Sequence, residues 1–112
     1  MAWTAKHRYA RISPRKARLV ADMIRGLDCD RAVELLSFTP QRAAFFVNRV
    51  LKSAMANANE QEAAMSRLYV AGAHVDPGPL IKRWQPKDRG RAHPIHKPTS
   101  HIVITVDERE KV

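Results

Sequence analysis

The side chains best suited to chemistry in this 112-residue chain are cations set beside an aromatic ring and turn-forming residues. Lys82, Arg83, Trp84, Lys87, Arg89, Gly90 and Arg91 fall close together. Lys and Arg neutralise phosphates, an exposed Trp stacks on an unpaired base, and Gly lets a backbone approach its ligand closely. Lys97 continues this block. His93 and His96 join it, because a histidine beside phosphates shifts toward its charged form. A second block, Lys6, Arg8, Arg11, Arg15, Lys16 and Arg18, contains no acid between residues 1 and 18. Both blocks read as binding surfaces for a polyanion.

The charge balance supports that reading. Twenty Lys and Arg oppose eleven Asp and Glu, for a formal charge of +9. An even spread would describe a merely soluble cationic protein. The spread is uneven: residues 19–76 are near neutral, and the excess sits in the two blocks. A localised excess of this kind is the footprint of a nucleic-acid partner, with an anionic membrane surface as the weaker candidate. The amphipathic helices that a membrane would need are required for the core instead.

Other chemistries lack their residues. No phosphate-binding Gly-rich loop, Ser or Cys nucleophile motif or evident carboxylate pair is present, so catalysis is not expected. His93, His96 and His101 lack Cys or acidic neighbours at ligand spacing and stand among cations, so no metal or other cofactor is expected. Cys29 is the single cysteine and closes no internal disulfide, which suits a reducing compartment. The start Met1-Ala2-Trp3-Thr4 has no apolar run of a secretory signal, and no stretch approaches a membrane span. The expectation is a soluble cytoplasmic protein.

Elements must position these groups. Ser13 caps a first helix with Pro14 in its opening position; Ala17, Val20, Ala21 and Ile24 form its apolar stripe and Gly26 stops it. Arg15, Lys16 and Arg18 crowd its first turns, where the helix dipole disfavours cations. Asp28 or Asp30 caps a short second helix with Ala32, Leu35 and Leu36 inward, ending near Phe38. Thr39 and Pro40 open a long third helix whose stripe is Ala43, Phe46, Val47, Val50, Leu51, Ala54 and Ala58; Arg42, Arg49 and Lys52 lie off it. Tyr69 to Val75 alternates as a strand, and His101 to Val106 forms another with Ile102, Ile104 and Val106 on one face. Residues 4–10 are a polar candidate for a third strand. Asp107 to Val112 reads as a solvated tail.

Residues 76–100 carry Pro77, Pro79, Pro86, Pro94 and Pro98 but few apolar side chains. Such a segment cannot bury itself, and a long irregular loop in a small domain is functional or disordered. Flanked by two strands, it reads as an antiparallel ribbon reaching about 40 Å outward. The chain as a whole, residues 1–112, reads as one domain with 77–101 as the extended hairpin. Trp3 is expected in the core and Trp84 exposed. An architectural DNA-binding protein with a β-ribbon arm is the alternative, but no dimerisation surface supports it and the N-terminal block goes unexplained.

These residues also carry a resemblance. Tyr9-Ala10-Arg11-Ile12-Ser13-Pro14-Arg15-Lys16-Ala17-Arg18-Leu19-Val20 closely resembles the opening of the universal large-subunit ribosomal protein twenty-two family. Phe38-Thr39-Pro40, Leu51-Lys52-Ser53-Ala54, Ala56-Asn57-Ala58, Gly78-Pro79, Lys82-Arg83, Pro86, Gly90-Arg91-Ala92 and Thr99-Ser100-His101-Ile102 follow in the same order. The resemblance implies an α+β fold, a small antiparallel sheet of about three strands packed on three helices with a long protruding β-hairpin. It implies a structural role in the large subunit and in early assembly, and an RNA-facing Arg11 to Arg18. The body would sit near the peptide exit. The hairpin would run inward through ribosomal RNA, its tip lining the nascent-peptide tunnel near the macrolide site. Lys82, Arg83, Trp84, Gln85, Pro86, Lys87, Asp88, Arg89, Gly90 and Arg91 would form that tip. Expected partners are large-subunit ribosomal RNA, neighbouring ribosomal proteins and the nascent peptide, with no membrane and no homo-oligomer.

Overall fold

In the computed structural model, which describes residues 2–87 and 90–109, strand β1 (Ala2–Ala10) precedes helices α1 (Pro14–Ile24), α2 (Cys29–Phe38) and α3 (Arg42–Glu60). Strands β2 (Leu68–Pro77), β3 (Ile81–Lys87), β4 (Arg91–Lys97) and β5 (Ser100–Glu108) follow. The fold is α+β. One antiparallel sheet has the order β1-β5-β2, and β3 pairs antiparallel with β4 in a second.

Helix α1 forms as its sequence dictates. Ser13 is extended, its side chain accepts the Lys16 N–H at 3.3 Å, and Pro14 occupies the first turn. Ala17, Val20, Ala21 and Ile24 are all buried. Gly26 adopts φ 87°, and its N–H donates to the Val70 carbonyl at 2.9 Å while the Val70 N–H donates to the Leu27 carbonyl at 2.8 Å. That reciprocal pair fastens the α1–α2 turn to β2.

The junction of α2 and α3 differs from the sequence reading. Thr39 ends α2 rather than opening α3: its N–H donates to the Leu36 carbonyl and its hydroxyl to the Leu35 carbonyl at 2.8 Å. Gln41 takes the cap position of α3, and Arg42 is its first residue. A Thr-Pro pair suits either role. Here the Thr hydroxyl goes to a carbonyl left open at the end of α2. Asp28 takes the cap position of α2 without a side-chain cap bond, because its carboxylate is turned to Arg109. Ala44 is buried in α3, while Phe46 is only half-buried.

The helices pack on the face of the sheet that carries Trp3 and Ala5 from β1, Ile102, Ile104 and Val106 from β5, and Leu68, Val70, Ala73 and Val75 from β2. The polar residues that made β1 hard to read, Thr4 and Lys6, alternate with Trp3 and Ala5 and are exposed. Simple alternation fails in β2. Val70 pairs with Val106 and Gly72 with Thr105, so Ala71 is extra. This bulge moves the buried phase from Leu68 and Val70 to Ala73 and Val75. Tyr69 and Ala71 therefore do not share the buried face of Ala73 and Val75.

The supposed tail is also structured further than expected. Asp107 and Glu108 belong to β5, and Arg109 is tied down: its N–H donates to the Arg67 carbonyl at 2.8 Å and its Nε to Asp28 at 2.9 Å. Its guanidinium lies 4.5 Å from the Tyr69 ring centroid. Residues 110–112 lie outside the described residues.

The ribbon continues the main sheet. Pro77 pairs with Ser100, the Gly78 N–H donates to the Thr99 carbonyl at 2.9 Å, and pairing resumes from Ile81–Lys97 to Lys87–Arg91. The molecule consequently measures 69 × 24 × 17 Å. None of the described side chains between residues 79 and 98 is buried. Residues 77 and 100 are shared with the body sheet, so the free two-stranded part is shorter than 77–101.

Candidate nucleic-acid interface

Two clefts gather the predicted cations with others from α3. Lys6, His7 and Arg8 of β1 and Arg49, Val50 and Ser53 of α3 line a cleft of about 230 Å³. Arg11, Arg42, Lys97 and Pro98 line another of about 450 Å³. The second joins the two basic blocks directly, since Arg11 belongs to the first and Lys97 to the second. A chain of ring contacts bridges the clefts. The Arg42 guanidinium lies 5.4 Å from the Phe46 ring, and that ring meets His7 edge-on at 5.6 Å. The result is a cationic strip running along β1 and α3 to the root of the hairpin.

A β-bulge shapes the strip's β1 side. Pairing runs from His7–Ile102 to Ala10–Ser100, so Arg8 and Tyr9 together oppose His101. Tyr9 adopts φ 59°, an uncommon value for a bulky residue, and its N–H donates to Nδ1 of His101 at 3.1 Å. Its ring packs edge-on against His101 at 4.9 Å and beneath the Arg8 guanidinium at 5.4 Å. Strain of this kind persists only where surroundings hold it, and here it sets the direction of Arg8.

Arg15 and Lys16 are exposed on the first turns of α1. Arg18 is exposed but not free: its Nε donates to the Val75 carbonyl at 3.2 Å. Arg25, two turns later, donates to the Ala73 carbonyl. Both bonds cap outward carbonyls of β2, an edge strand that would otherwise offer them for pairing. Arg18 thus also serves the fold, through its Nε, while its side chain stays exposed.

On the ribbon, Lys82, Arg83, His96 and Lys97 are exposed, and Trp84 is 69% exposed. Gln85, Pro86, Lys87, Arg91 and His93 enter by strand register alone, and Gly90 lies in the turn. Asp88 and Arg89 lie outside the described residues. Among the described residues, the ion pairs are Asp22–Arg25, Arg67–Glu108, Asp28–Arg109 and the His74–Asp76 contact. Lys6, Arg8, Arg11, Arg42, Arg49, Lys82, Arg83 and Lys97 belong to none of them, so their charge is available to an outside anion.

Arg42 and Arg49 were missed because they lie in the electrically neutral middle of the sequence. Their spacing of two helical turns, with Phe45 and Phe46 between them, was the available signal: it puts both cations on one face beside rings. Arg49 lies 5.7 Å from the Phe45 ring.

The acids lie elsewhere. Asp28, Asp30 and Glu34 line a concavity with Arg31, Leu35, Phe38 and Ser66 that shares no residue with the cationic clefts. Cys29 beside them is buried, and burial first, then Asp30 and Asp28, push its thiol up to about 11. Such a thiol is a poor nucleophile.

Comparison with known proteins decides the family. Residues 5–107 match the family described as ribosomal protein L22p/L17e. The chain belongs to that family. It is 51% identical over 104 residues to the large ribosomal subunit protein uL22 of Clostridium tetani, covering 92% of this chain and 94% of the relative. It is therefore a structural constituent of the large ribosomal subunit, a cytoplasmic particle, and not an enzyme. Its partners are ribosomal RNA and ribosomal proteins of that subunit. Among the described residues no helix is long and apolar enough to cross a membrane.

Proposed function

We propose that the cationic strip and the ribbon bind large-subunit ribosomal RNA directly, through phosphate neutralisation and shape rather than any reaction. The observation that carries this reading is the union of Arg11, Arg42 and Lys97 in one cleft at the root of a ribbon with no buried side chain among its described residues. Arg8, Arg49 and Lys6 extend the strip along the body, and Lys82 and Arg83 extend it along the ribbon. The acids gathered at α2 repel phosphate, so the RNA meets one side of the body and wraps the hairpin. We infer that the outer end of the ribbon, where Lys87 pairs with Arg91 beside the Gly90 turn, enters the nascent-peptide tunnel, while Lys82, Arg83 and Trp84 lie further back along the arm toward its root. By contacting RNA from body and tip at once, a single copy supports subunit assembly.

Binding of the full chain to transcribed large-subunit RNA fragments tests this. Affinity is expected to fall steeply with salt, as counterions released from phosphate require. Salt-independent or absent binding overturns the reading, and a preference for duplex DNA over ribosomal RNA favours an architectural DNA-binding role.

A further inference from the structure

We propose that the cavity between the start of α1 and the start of α3 holds one unstacked base of the bound RNA. The inference rests on the RNA-binding reading above and names a subsite within it. Ile12, Lys16, Leu19, Gln41, Arg42 and Ala43 line a cavity of about 300 Å³, at the small end of ligand-binding clefts and enough for a single heterocycle.

The lining divides as a nucleotide does. Ile12 and Ala43 are buried and give an apolar floor. Leu19 forms a wall and is 67% exposed, a large hydrophobic left uncovered by the protein itself. Gln41 supplies an amide that donates and accepts, as a base edge requires. The remaining two residues, Lys16 and Arg42, are cations. Arg42 also lines the adjoining cleft with Arg11 and Lys97. A base seated on Ile12, Leu19 and Ala43 thus has its phosphates directed to the cationic cleft next door.

Sequence fixes this arrangement. The Ser13 cap starts α1 so that Lys16 and Leu19, three apart, share a face. The Thr39-Pro40 break turns the chain so that Gln41 and Arg42 open α3 opposite them. Two helices therefore begin beside the cavity, and their positive ends reinforce the preference for an anionic occupant. No acid lines the cavity, so a cationic protein segment finds no counter-charge there. An apolar protein side chain would leave Lys16 and Arg42 unanswered. Single-stranded RNA is read by this division of labour, with bases on apolar or aromatic surfaces and phosphates on cations.

Titration of the full chain with large-subunit RNA at several salt concentrations tests the subsite. Leu19→Gln is expected to weaken binding about tenfold with an unchanged salt slope, since a stacking surface is lost and no charge. Leu19→Met is expected to restore it. Arg42→Gln is expected to weaken binding and to make the slope shallower by about one counterion. Because Leu19 is exposed, the thermal transition of Leu19→Gln should match the parent's. Ultraviolet cross-linking of the parent complex gives a second measurement, with nucleotide adducts expected on residues 12–19 or 41–43. Undiminished binding by Leu19→Gln, or adducts confined to other parts of the chain, overturns the base pocket while leaving RNA binding intact. Absence of salt-sensitive binding by the parent overturns both readings.

Discussion

The Ser100 hydroxyl donates to the Ile12 carbonyl at 2.6 Å, joining positions 88 apart in sequence. Ser100 is fully buried at the root of the hairpin, and Ile12 is the last residue before the cap of α1. One bond therefore fixes the first basic block against the second. Replacing Ser100 with Ala leaves a buried carbonyl unanswered. The expected cost is about 1–2 kcal/mol. It should be read as a lower urea midpoint with an unchanged m-value; an unaltered midpoint would show that the Ile12 carbonyl finds another donor.

Gly78 faces Thr99 so closely that a Cβ there would collide with the Thr99 hydroxyl and crowd its carbonyl carbon and oxygen at 3.3 Å. That hydroxyl already donates to the Pro79 carbonyl at 2.7 Å. Gly78→Ala is expected to destabilise the protein by about 1–3 kcal/mol through overpacking. Thr99→Ala in the same chain should recover part of the loss, which a double-mutant cycle in urea would measure. Strict additivity would remove the collision as the cause.

Cys29 gives the protein an alkaline weakness. The unfolded chain loses this proton in the ordinary thiol range, near 9, while the folded chain holds it to about 11. Between those values the unfolded state binds fewer protons, so stability falls as pH rises and levels off above about 11. Below pH 8 the group has no effect on the pH profile. Near pH 10.5 the loss should be about 2 kcal/mol relative to pH 8. Denaturation of the parent should show this drop, and Cys29→Ala should show that much less of it. Parallel profiles for the two proteins would refute the assignment.

Cations at the two ends of the body should behave oppositely. Arg109→Gln loses bonds to Asp28 and to the Gly26 carbonyl and its stacking on Tyr69. Its expected signature is a stability loss of about 1 kcal/mol with RNA affinity and salt slope unchanged. Arg11→Gln and Lys97→Gln should leave melting alone and each make the salt slope shallower by about one. Filter binding over a salt series, with melting curves in parallel, checks both arms.

The ribbon should be separable from the body. Replacement of residues 82–91 by a short turn removes no buried side chain among those described. The melting temperature is expected to stay within a few degrees, since surface changes of this kind stay near ±0.5 kcal/mol. RNA affinity and its salt dependence should both fall. A collapsed transition would mean that the body depends on the outer hairpin for its stability.

Much of this architecture was legible in the sequence because local rules and burial agree there. Ser13-Pro14 and the Ala17–Ile24 stripe define α1 by capping and period alone, and Ile102, Ile104 and Val106 define β5 by alternation. Where the reading failed, a competing local bond or a tertiary partner had intervened. Thr39 resembles a cap but serves the preceding helix. The β2 bulge at Ala71 shifts the burial phase, and no strict period of two can express that. Arg109 belongs to the fold because Asp28, Gly26 and Tyr69 gather around it, contacts with no local signature. The site was half legible for a similar reason. Clustered cations announce themselves in sequence, whereas Arg42 and Arg49 join them only because α3 lies along β1.

The strand order has a consequence for how the protein is made. Strands β1 and β2 do not pair with each other; each pairs with β5, which is the last of the five to be synthesised. Until Ser100–Glu108 emerges, the helices have no completed surface to lie on, and both edge strands wait with open backbone groups. The three-stranded sheet therefore cannot close before the whole ribbon has been translated, whereas the cations of residues 6–18 are present from the start of synthesis.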